Sequence, residues 1–458
     1  MTGARPNILL VVSDDHGYAD RSALGTPGVS TPALDRLAAE GTTFSDAYVT
    51  APICSPSRAG IITGRYQQRW GATWFDSSDI GASPTIAERL REAGYATGYF
   101  GKVHYGGEGA GDRGTPPEHG FDESFYGLAG QSMGRLHYLH HSDAAVAELG
   151  EAAEAMAVQP FWSGKEPLEF EGFTTDEIAD RALEFIEQPR DDPFFAMVAF
   201  NAVHNFCWQL PEEELSARGL PAFDDWHPGA GEYLDWYDGA ISPALPDGRG
   251  YYLAQLELMD RQIGRMLDRL DELGVADDTI VVYLTDNGGS RCNFGDNGDL
   301  RGTKYTLWEG GIRVPFIVRW PGIAGAERTN PALVSSLDLA ATFEAAAGLP
   351  PDPRLDGQDL RIPLTGAAQN RTLHWHSGWQ WAVRHDRWKL SWCDAASPTA
   401  GYVRAVEHSE PGDGLMLCDL EIDPGERVDV AEQNPELVER LLALQARWCT
   451  EIGLDDRS

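Results

Sequence analysis

The chain of 458 residues is 42% apolar and 23% charged, which excludes a disordered or fibrous protein and predicts a large globular domain with a smaller companion. Its 71 acidic and 36 basic side chains give a formal charge of -35, which argues against nucleic acid and anionic membranes as partners. The six cysteines form no CxxC pair and no His/Cys cluster with metal-site spacing, so neither a disulfide scaffold nor a zinc site is predicted.

The start of the chain and the hydropathy pattern bear on cellular location. The segment MTGARPNILLVV has no basic region followed by a long apolar stretch and a cleavage site. No later segment has the roughly 18 uninterrupted apolar residues of a membrane span. We therefore predict a cytoplasmic protein that binds no membrane, with a secreted or periplasmic form that has lost its signal peptide as the alternative. The sequence predicts no oligomeric state.

The first predicted elements are a strand and a helix. PNILLVVS, residues 6–13, is an unbroken apolar run typical of a strand buried on both faces, and Asp14 and Asp15 follow it directly. Thr31 is predicted to cap a helix that has Pro32 in its first turn and continues through ALDRLAAE. A strand followed by a helix predicts the start of an α/β sheet.

The same alternation continues along the chain. Ser83 and Pro84 are predicted to start the helix TIAERLREA, which the strand ATGYFGK follows. Thr174 and Glu177 are predicted to form a capping box for the helix DEIADRALEFIE, and the buried strand DPFFAMVAFNAVH comes after it. Residues 251–273 are predicted to form the longest amphipathic helix, which precedes the strand DDTIVVYLTDNGG.

Polar side chains follow four of these strands. In open α/β sheets, ligands bind at the carboxyl ends of the strands, so we predict that these side chains converge on one site. They are Asp14, Asp15, Lys102, His104, His204, Asp286 and Asn287.

The pattern changes near residue 366. RTLHWHSG, QWAVRHDRWKLSWC and GLMLCDLEI indicate antiparallel strands, and PELVERLLALQARW indicates a closing helix. We therefore predict an α/β fold with a large mixed, mainly parallel sheet flanked by helices in residues 1–365. Residues 366–458 are predicted to form a smaller C-terminal domain of antiparallel sheet plus helix.

The acids and the amide at two strand ends predict a divalent metal site. Asp14, Asp15, Asp286 and Asn287 offer hard oxygen ligands, which suit Ca²⁺ or Mg²⁺ and suit zinc or copper poorly. The alternative is that the first pair caps a helix and that DNGG is only a turn. Their spacing alone leaves these two interpretations evenly balanced.

The cations and histidines are individually less informative. Lys102 and His104 lie on alternate positions of an extended segment, so their side chains are predicted to share one face. Taken singly, a surface lysine and a hydrogen-bonded structural histidine are the more frequent explanations. The same holds for His204 and Lys304.

The stretch CSPSRAGIITGRY, which begins at Cys54, raises the sharpest question. Its ordinary explanations are a buried small cysteine, a serine that caps a helix and a surface charge at Arg58. A thiolate nucleophile with a histidine base is the simplest enzymatic alternative. Neither explains why an arginine follows the cysteine by four residues while acids of the metal-binding type occur elsewhere.

Taken together, these segments resemble the sulfatases that use formylglycine, which belong to the alkaline-phosphatase-like superfamily. CSPSRAGIITGR, residues 54–65, matches the signature C-x-P-S-R-x-x-x-x-T-G-R of that family at each fixed position. PNILLVVSDDHG and LTDNGG resemble its two metal-binding strands, and GKVHYG resembles its GKWH element with Val103 in place of tryptophan. RGTKYTLWEGGIRVPFIVRWPG resembles its lysine segment. The likeness covers nearly the full chain and implies an alkaline-phosphatase-like fold that hydrolyses sulfate esters.

The resemblance also implies a modified residue and a metal. Cys54 would be oxidised to formylglycine by a formylglycine-generating enzyme, and the hydrate of this aldehyde would be the nucleophile. The cation, usually Ca²⁺ in this family and with Mg²⁺ as the alternative, would be held by residue 54 together with Asp14, Asp15, Asp286 and Asn287.

Further catalytic roles follow from the same resemblance. Arg58 would stabilise the ionised hydrate, and Lys102 and Lys304 would neutralise sulfate oxygens. His104 would help to break down the sulfated intermediate, and His204 would protonate or bind the leaving oxygen. The surroundings of this last histidine, FNAVHNFCWQLPEE, lack the proline and small residues often found there in relatives.

Two other functions and the substrate stay open. The chain could be a phosphate or phosphonate ester hydrolase of the same superfamily, or an inactive ligand-binding relative whose cysteine stays a thiol. The acidic surface favours a short oligosaccharide, a monosaccharide or a small aryl sulfate over a long polysulfated chain. Aromatic and imidazole side chains are candidates for contacts with the substrate, although ordinary packing explains them at least as well; they are His137, His374, Trp375, His376 and Trp379.

Overall fold

The computed structural model describes most of the chain, and all statements about the fold refer to the described part. This part comprises residues 5–74, 79–106, 111–127, 147–148, 161–168, 172–204, 206–224, 226–232, 235–236, 239, 242–366 and 370–454.

A ten-stranded mixed sheet forms the centre of the molecule. Its strands, numbered with those of the smaller sheets in chain order, are β1 (Asn7–Ser13), β2 (Thr42–Phe44), β4 (Ala96–Lys102), β5 (Glu123–Gly127), β6 (Phe161–Ser163), β7 (Glu166–Leu168), β8 (Phe194–Ala199), β9 (Thr279–Thr285), β10 (Phe316–Arg319) and β11 (Arg328–Asn330). Across the sheet they lie in the order β11-β2-β10-β9-β1-β8-β4-β5-β6-β7.

The middle of this sheet is parallel, as the sequence predicts. β1 pairs in parallel with both β8 and β9, and β4 pairs in parallel with both β8 and β5. Antiparallel pairs occur towards the edges, for example between β10 and β9. Successive residues of β1 face opposite sides, so Leu9 and Val11 enter one apolar cluster while Ile8, Leu10 and Val12 enter the other. Burial on both faces explains why the strand is apolar throughout.

Helices cover both faces of the sheet. The described α-helices, in chain order, are α1 (Pro32–Glu40), α2 (Cys54–Thr63), α3 (Ile86–Glu92), α4 (Thr174–Glu187), α5 (Glu212–Arg218), α6 (Gly248–Glu272), α7 (Glu309–Ile312), α8 (Asp338–Ala346), α9 (Arg361–Leu364), α10 (Pro398–Glu407) and α11 (Pro435–Ile452). The long helix α6 packs against α1 and α4 on one face, and α8 packs against α2 and α3 on the other. None of the helices that the structure describes is both long and apolar enough to cross a membrane.

A separate antiparallel sheet of four strands forms the smaller domain. It consists of β13 (Thr372–His376), β14 (Gln380–His385), β15 (Trp388–Cys393) and β16 (Gly414–Asp419). α11 packs on β14 and β15, where Leu441 joins Val383 and Leu390 in one apolar cluster. β3 (Ala47–Tyr48) and β12 (Val334–Ser335) form a short parallel pair. The predicted fold class is confirmed, whereas the boundary between residues 365 and 366 stays a prediction.

The predicted cap of α1 is wrong. Thr31 stands at the N-cap position, but its hydroxyl accepts a hydrogen bond from the Ser22 amide at 2.9 Å and caps no helical amide. The carboxylate of Asp260, on α6, accepts hydrogen bonds from Ala33 N and Leu34 N at 2.8 and 2.9 Å instead. A carboxylate that is distant in the sequence therefore satisfies the free amides at the start of this helix.

The starts of two other helices also differ from the prediction. α3 begins at Ile86 rather than at Ser83, and Thr85 and Glu88 form a capping box at its start. Thr85 Oγ1 accepts from Glu88 N at 3.2 Å, and Glu88 Oε2 accepts from Thr85 N at 3.0 Å. The capping box predicted for α4 is wrong, because Phe173 occupies its N-cap position and provides no side-chain cap.

Candidate active site

The carboxyl ends of the central strands bring the predicted polar residues together. Ser13, at the end of β1, pairs with Thr285, at the end of β9, so the acidic residues that follow the two strands are neighbours. β4 ends at Lys102, two strands away from β1 across β8. The sheet order thus places residues that are far apart in sequence at one edge.

Cys54 is the first residue of α2, and every residue of this helix is buried. Its Sγ lies 3.6 Å from Asp14 Oδ1 and donates to it. Burial raises the pKa of the Cys54 thiol, although Lys102 and Lys304 act in the opposite direction. The thiol is therefore protonated and a weak nucleophile at neutral pH.

Two glycines of the motif allow the helix to fit its surroundings. A Cβ atom on Gly60 would lie 2.4 Å from Thr50 Oγ1, so only glycine lets the two segments approach this closely. Gly64 ends the helix with a φ of 64°, in the left-handed region. Gly60 therefore lets the helix that carries Cys54 pack closely, and Gly64, a fixed position of the signature, ends it.

Arg58 lies one turn after Cys54 and points into the same site. Its Nε donates to Asp286 Oδ2 at 2.7 Å, and its Nη1 donates to the Lys102 carbonyl at 3.0 Å. Burial lowers the pKa of the Arg58 guanidinium, but the Asp286 and Asp14 carboxylates outweigh this effect and raise it. The side chain is fully buried, which excludes its interpretation as a surface charge.

Asp14 lies between two cations. The ammonium of Lys102 donates to its Oδ2, and Nη2 of Arg58 lies 3.6 Å from the same oxygen. Burial alone would raise the pKa of the Asp14 carboxyl, but the charges of Lys102 and Arg58 lower it below its usual range. This carboxylate is ionised at neutral pH.

Asp15 is the centre of a second group of contacts. Lys304 Nζ donates to its Oδ2 at 2.8 Å, and Asn287 Nδ2 donates to its Oδ1 at 2.6 Å. Burial raises the pKa of Asp15 to about 7 although Lys304 opposes this, and the neighbouring charges of Asp14 and Asp286 raise it further. The fully buried carboxyl groups of Asp14, Asp15 and Asp286 thus lie close together.

The two histidines are neutral in this environment. His204 Nε2 lies 2.9 Å from Lys304 Nζ, and burial together with this ammonium lowers the pKa of the imidazole well below its usual value. For His104, burial comes first and the charges of Lys102 and Arg58 follow as causes of a lowered pKa. The His104 backbone has a φ of 57°, so the segment is not extended and the argument from alternate strand positions is wrong. The charges of Lys102 and Arg58 nevertheless act on this imidazole.

The oxygen atoms of the site fit a hard divalent cation. The potential ligand atoms of Asp14, Asp15, Cys54 and His204 all lie within 4.8 Å of one another. Asn287 Oδ1 is buried and has no hydrogen-bond partner among the described residues, as a side-chain oxygen reserved for a cation would be. Carboxylate and amide oxygens are the ligands that Ca²⁺ and Mg²⁺ prefer.

Sequence reasoning missed one residue of the site. Asn293 is buried, and its Nδ2 donates to Asp15 Oδ2. It lies in a turn after LTDNGG, where asparagine is a common turn residue, so its position carried no signal.

The aromatic and imidazole candidates of the smaller domain have different surroundings. His374 stacks on Trp448 with 5.0 Å between the ring centroids, and Trp375 Nε1 donates to the Val49 carbonyl at 2.7 Å, so both pack in the core. His376 is partly buried at the end of β13. Trp379 belongs to a cluster with Ile53, the residue before Cys54. The fifth candidate, His137, lies outside the described residues.

Known protein families match the sequence over most of its length. The family profile described as Sulfatase matches residues 6–349, which is most of the chain. The chain belongs to the sulfatase family. The profile described as N-sulphoglucosamine sulphohydrolase, C-terminal, also matches residues 302–446 of this sulfatase.

Two relatives and one solved structure extend the likeness. Arylsulfatase A of Homo sapiens is 31% identical over 484 residues, which cover 96% of this sulfatase and 87% of the relative. N-acetylgalactosamine-6-sulfatase of Homo sapiens is 29% identical over 480 residues, which cover 95% and 83%. The crystal structure of Ps i-CgsB in complex with k-i-k-neocarrahexaose has a TM-score of 0.79 and 27% identity, and the match covers 97% of this sulfatase and 92% of that chain. This sulfatase is a sulfuric ester hydrolase, and the family inferred from its motif is confirmed.

Proposed function

We propose that this sulfatase cleaves the sulfate ester of a carbohydrate or a small aryl compound through a formylglycine hydrate at residue 54 and a divalent cation. One observation carries the proposal. Cys54 opens a buried helix beside three carboxylates and the cations Arg58, Lys102 and Lys304, at the carboxyl edge of the parallel strands. An anionic ester needs this combination of a nucleophile and fixed positive charges.

The buried thiol supports the conversion of Cys54 to an aldehyde. Burial raises the pKa of the thiol, so the unmodified residue would be a poor nucleophile. Oxidation of its Cβ to formylglycine by a formylglycine-generating enzyme gives an aldehyde that hydrates to two hydroxyl groups. One hydroxyl attacks sulfur, and the second later loses its proton, expels sulfate and restores the aldehyde. A serine at this position would have no second hydroxyl.

The cation would be held by oxygen atoms of the two strand ends. Asp14, Asp15, Asp286 and Asn287 would bind Ca²⁺, with Mg²⁺ as the alternative. A thiol is a soft ligand that suits these ions poorly, whereas an oxygen at residue 54 would match the other ligands. The bound ion would polarise a sulfate oxygen and favour the ionised hydrate.

The remaining side chains have separate roles in the proposed reaction. Arg58 stabilises the negative charge on the hydrate, and Lys102 and Lys304 neutralise sulfate oxygens as charge develops on the leaving oxygen. His204 binds or protonates that oxygen through the proton on its Nδ1, because its Nε2 faces the Lys304 ammonium at 2.9 Å. His104, neutral because of burial and neighbouring cations, accepts the proton when the sulfated hydrate breaks down.

The substrate is proposed from charge and from the named relatives. The formal charge of -35 would repel a long polysulfated chain outside the pocket, which favours a monosaccharide, a short oligosaccharide or a small aryl sulfate. The relatives named as aryl and N-acetylgalactosamine-6-sulfatases, and the neighbour solved with neocarrahexaose, agree with these classes. A phosphate or phosphonate ester hydrolase and an inactive binding protein are not favoured by these names.

The decisive experiment measures the released anion. Protein made together with a formylglycine-generating enzyme is incubated with sulfated mono- and disaccharides and with a matched aryl sulfate and aryl phosphate. We expect sulfate to be released faster than phosphate, and the mass of the peptide that contains residue 54 should be that of the aldehyde. The Cys54→Ala protein, prepared in parallel, controls for contaminating hydrolases.

Two results would contradict the proposal. Faster release of phosphate than of any sulfate would favour a phosphate ester hydrolase. Turnover by protein in which residue 54 is still a thiol would remove formylglycine from the mechanism.

A further inference from the structure

Glu407 links the smaller domain to the candidate active site. It is the last residue of α10 and is completely buried. Its Oε1 accepts from the Ser290 hydroxyl at 2.5 Å and lies 3.4 Å from Cys292 Sγ. Its Oε2 accepts from the Arg291 amide at 2.6 Å and lies 2.8 Å from the Thr303 hydroxyl. All four donors belong to the segments that follow β9.

In the described part of the chain, Glu407 forms no ion pair. Among the residues that the structure describes, no lysine, arginine or histidine nitrogen lies within ion-pair distance of Glu407. A buried charge without a cation is costly unless its oxygens are fully hydrogen-bonded, and those of Glu407 are. Glu407 therefore joins the segment of residues 290–292 to that of Thr303 through hydrogen bonds rather than through an ion pair.

These two segments carry side chains of the candidate site. Ser290 comes directly after Asp286, Asn287 and two glycines, and Thr303 precedes Lys304. The segments also contact each other, because Lys304 N donates to the Gly289 carbonyl at 3.2 Å and the Thr303 hydroxyl lies 2.8 Å from the same oxygen. A shift of either segment would move the Lys304 ammonium relative to Asp15.

We propose that Glu407 is a positioning residue for sulfate ester hydrolysis, which holds Lys304 and the metal-binding strand end in one arrangement from the smaller domain. The inference rests on the role given to Lys304 in the proposed function. Misplacement of a catalytic group by about 1 Å lowers the rate strongly, and loss of a residue that orients a site typically reduces activity by about 10- to 100-fold.

The test compares Glu407→Gln, Thr303→Val and the double variant on the best sulfate ester. We expect each single variant to lower kcat by about 10- to 100-fold and to weaken inhibition by inorganic sulfate, because Lys304 binds the sulfate group. The fold-loss of kcat in the double variant should be smaller than the product of the two single fold-losses, because both changes remove the same contact between Glu407 and the Thr303 hydroxyl. Thr303→Ser, which keeps the hydroxyl, should restore the wild-type kcat.

Glu410→Gln is the matched control. This glutamate is three residues further on, its side chain is 79% exposed, and it pairs with Arg404 at 2.8 Å. Unchanged kcat and sulfate inhibition in Glu407→Gln, or losses that multiply fully in the double variant, would overturn the inference. If Glu407→Gln does not fold, the Thr303 variants test the inference: a lower kcat in Thr303→Val that Thr303→Ser does not show supports it, and equal kcat values in the two variants overturn it.

The inference and the proposed function fail in different ways. Wild-type protein that hydrolyses no sulfate ester would contradict the proposed function. Calorimetric binding of inorganic sulfate, which needs no turnover, would then still test whether Glu407→Gln and Thr303→Val weaken the site. Equal sulfate affinity in these variants and in the wild type would overturn the inference alone.

Discussion

Lysine is rare in this chain, and three of its four lysines are buried against carboxylates. Lys102 contacts Asp14, Lys304 contacts Asp15, and Lys389 lies in a third buried group in the smaller domain. The fourth, Lys165, has a side chain that is 68% exposed. Because a buried ammonium needs a partner, each of the three lysines marks a place where charge was retained at an energetic cost. In two of the three places this charge belongs to the candidate active site.

Replacement of Cys54 by serine tests the need for a second hydroxyl at this residue. Cys54→Ser keeps a small side chain at the start of α2 but cannot become an aldehyde hydrate. We expect multiple turnover to stop and the serine peptide to gain the mass of SO3, because the sulfated serine has no second hydroxyl that can expel the sulfate. Mass spectrometry after incubation with an aryl sulfate measures this. Steady turnover by the variant would contradict the proposed mechanism.

The proposed cation should stabilise the folded protein. Ca²⁺ that binds only the native state at 100 times its Kd would add about 2.7 kcal/mol to the free energy of unfolding. We expect the unfolding temperature of chelator-treated protein to rise when Ca²⁺ is added and to rise much less in Asp15→Asn. Asp277→Asn, at an exposed position, is the matched control and should respond as the wild type does. An equal response in Asp15→Asn would remove Asp15 from the proposed site.

At the scale of single elements, the start of α1 depends on a residue from another helix. Asp260→Ala removes the acceptor of the Ala33 and Leu34 amides, which are buried. We expect the free energy of unfolding to fall by about 1–3 kcal/mol, because two buried backbone donors lose the carboxylate that accepts from them. Chemical denaturation measures this change.

The control for this helix start lies on the same helix, α6. Asp268 has a side chain that is 67% exposed and contacts Arg36 of α1 at 2.6 Å. Asp268→Ala should change the free energy of unfolding by less than about 1 kcal/mol, because exposed ion pairs contribute little. Equal losses in the two variants would show that Asp260 has no special role as a cap.

At the scale of the whole molecule, a buried ionic group joins the smaller domain to the helix α7. Lys389, on β15, has its Nζ 2.9 Å from Glu309 Oε1 and 2.9 Å from Glu426 Oε1, and all three side chains are fully buried. Glu309 opens α7, just after the segment that carries Lys304, and also accepts from the Tyr48 hydroxyl at 2.5 Å. The group therefore connects the smaller domain to the candidate site at a second place besides Glu407.

Removal of the Lys389 ammonium from this group should strongly destabilise the protein. Lys389→Met leaves two carboxylates buried without it, so we expect the free energy of unfolding to fall by about 3–5 kcal/mol. Lys165→Met, at an exposed position, is the control and should be nearly neutral. Thermal unfolding of both variants measures the difference, and similar unfolding temperatures for the two would contradict the assignment.

One of the two glutamates should make stability depend on pH. Burial raises the pKa of Glu426 from its ordinary value of 4.5 to about 7, although Lys389 opposes the shift. Between these values the folded protein holds a proton that the unfolded chain has released. The contribution of Glu426 to stability is therefore present below about pH 4.5 and is lost as the pH rises to about 7.

The variant Glu426→Gln isolates this effect because its side chain does not titrate. We expect its free energy of unfolding, relative to that of the wild type, to increase with pH across this window, by at most about 1.4 kcal/mol per pH unit. Denaturation at several pH values measures the difference. Glu410→Gln is the exposed control, and a difference for Glu426→Gln that does not vary with pH would contradict the shifted pKa.

Strand pattern and motif were sufficient to predict the fold class and the residues that meet at the site. β1, β8 and β9 are largely apolar runs, and the polar residues that end these strands and β4 must share one edge once the strands are parallel. The signature that begins at Cys54 identified the family because its fixed residues lie close together in sequence, on one helix and just after its end. Such information lies in neighbouring residues, so it can be read directly from the sequence.

Tertiary structure alone decided which distant side chains support these elements. Asp260 caps α1 from 226 residues away, and Glu407 accepts from Ser290 across 117 residues. Asn293 and Lys389 likewise act through partners brought close only by packing of the sheets and domains. A single sequence specifies residue types and local periodicity, whereas the partner of a buried polar group depends on which surfaces the folded chain places against each other.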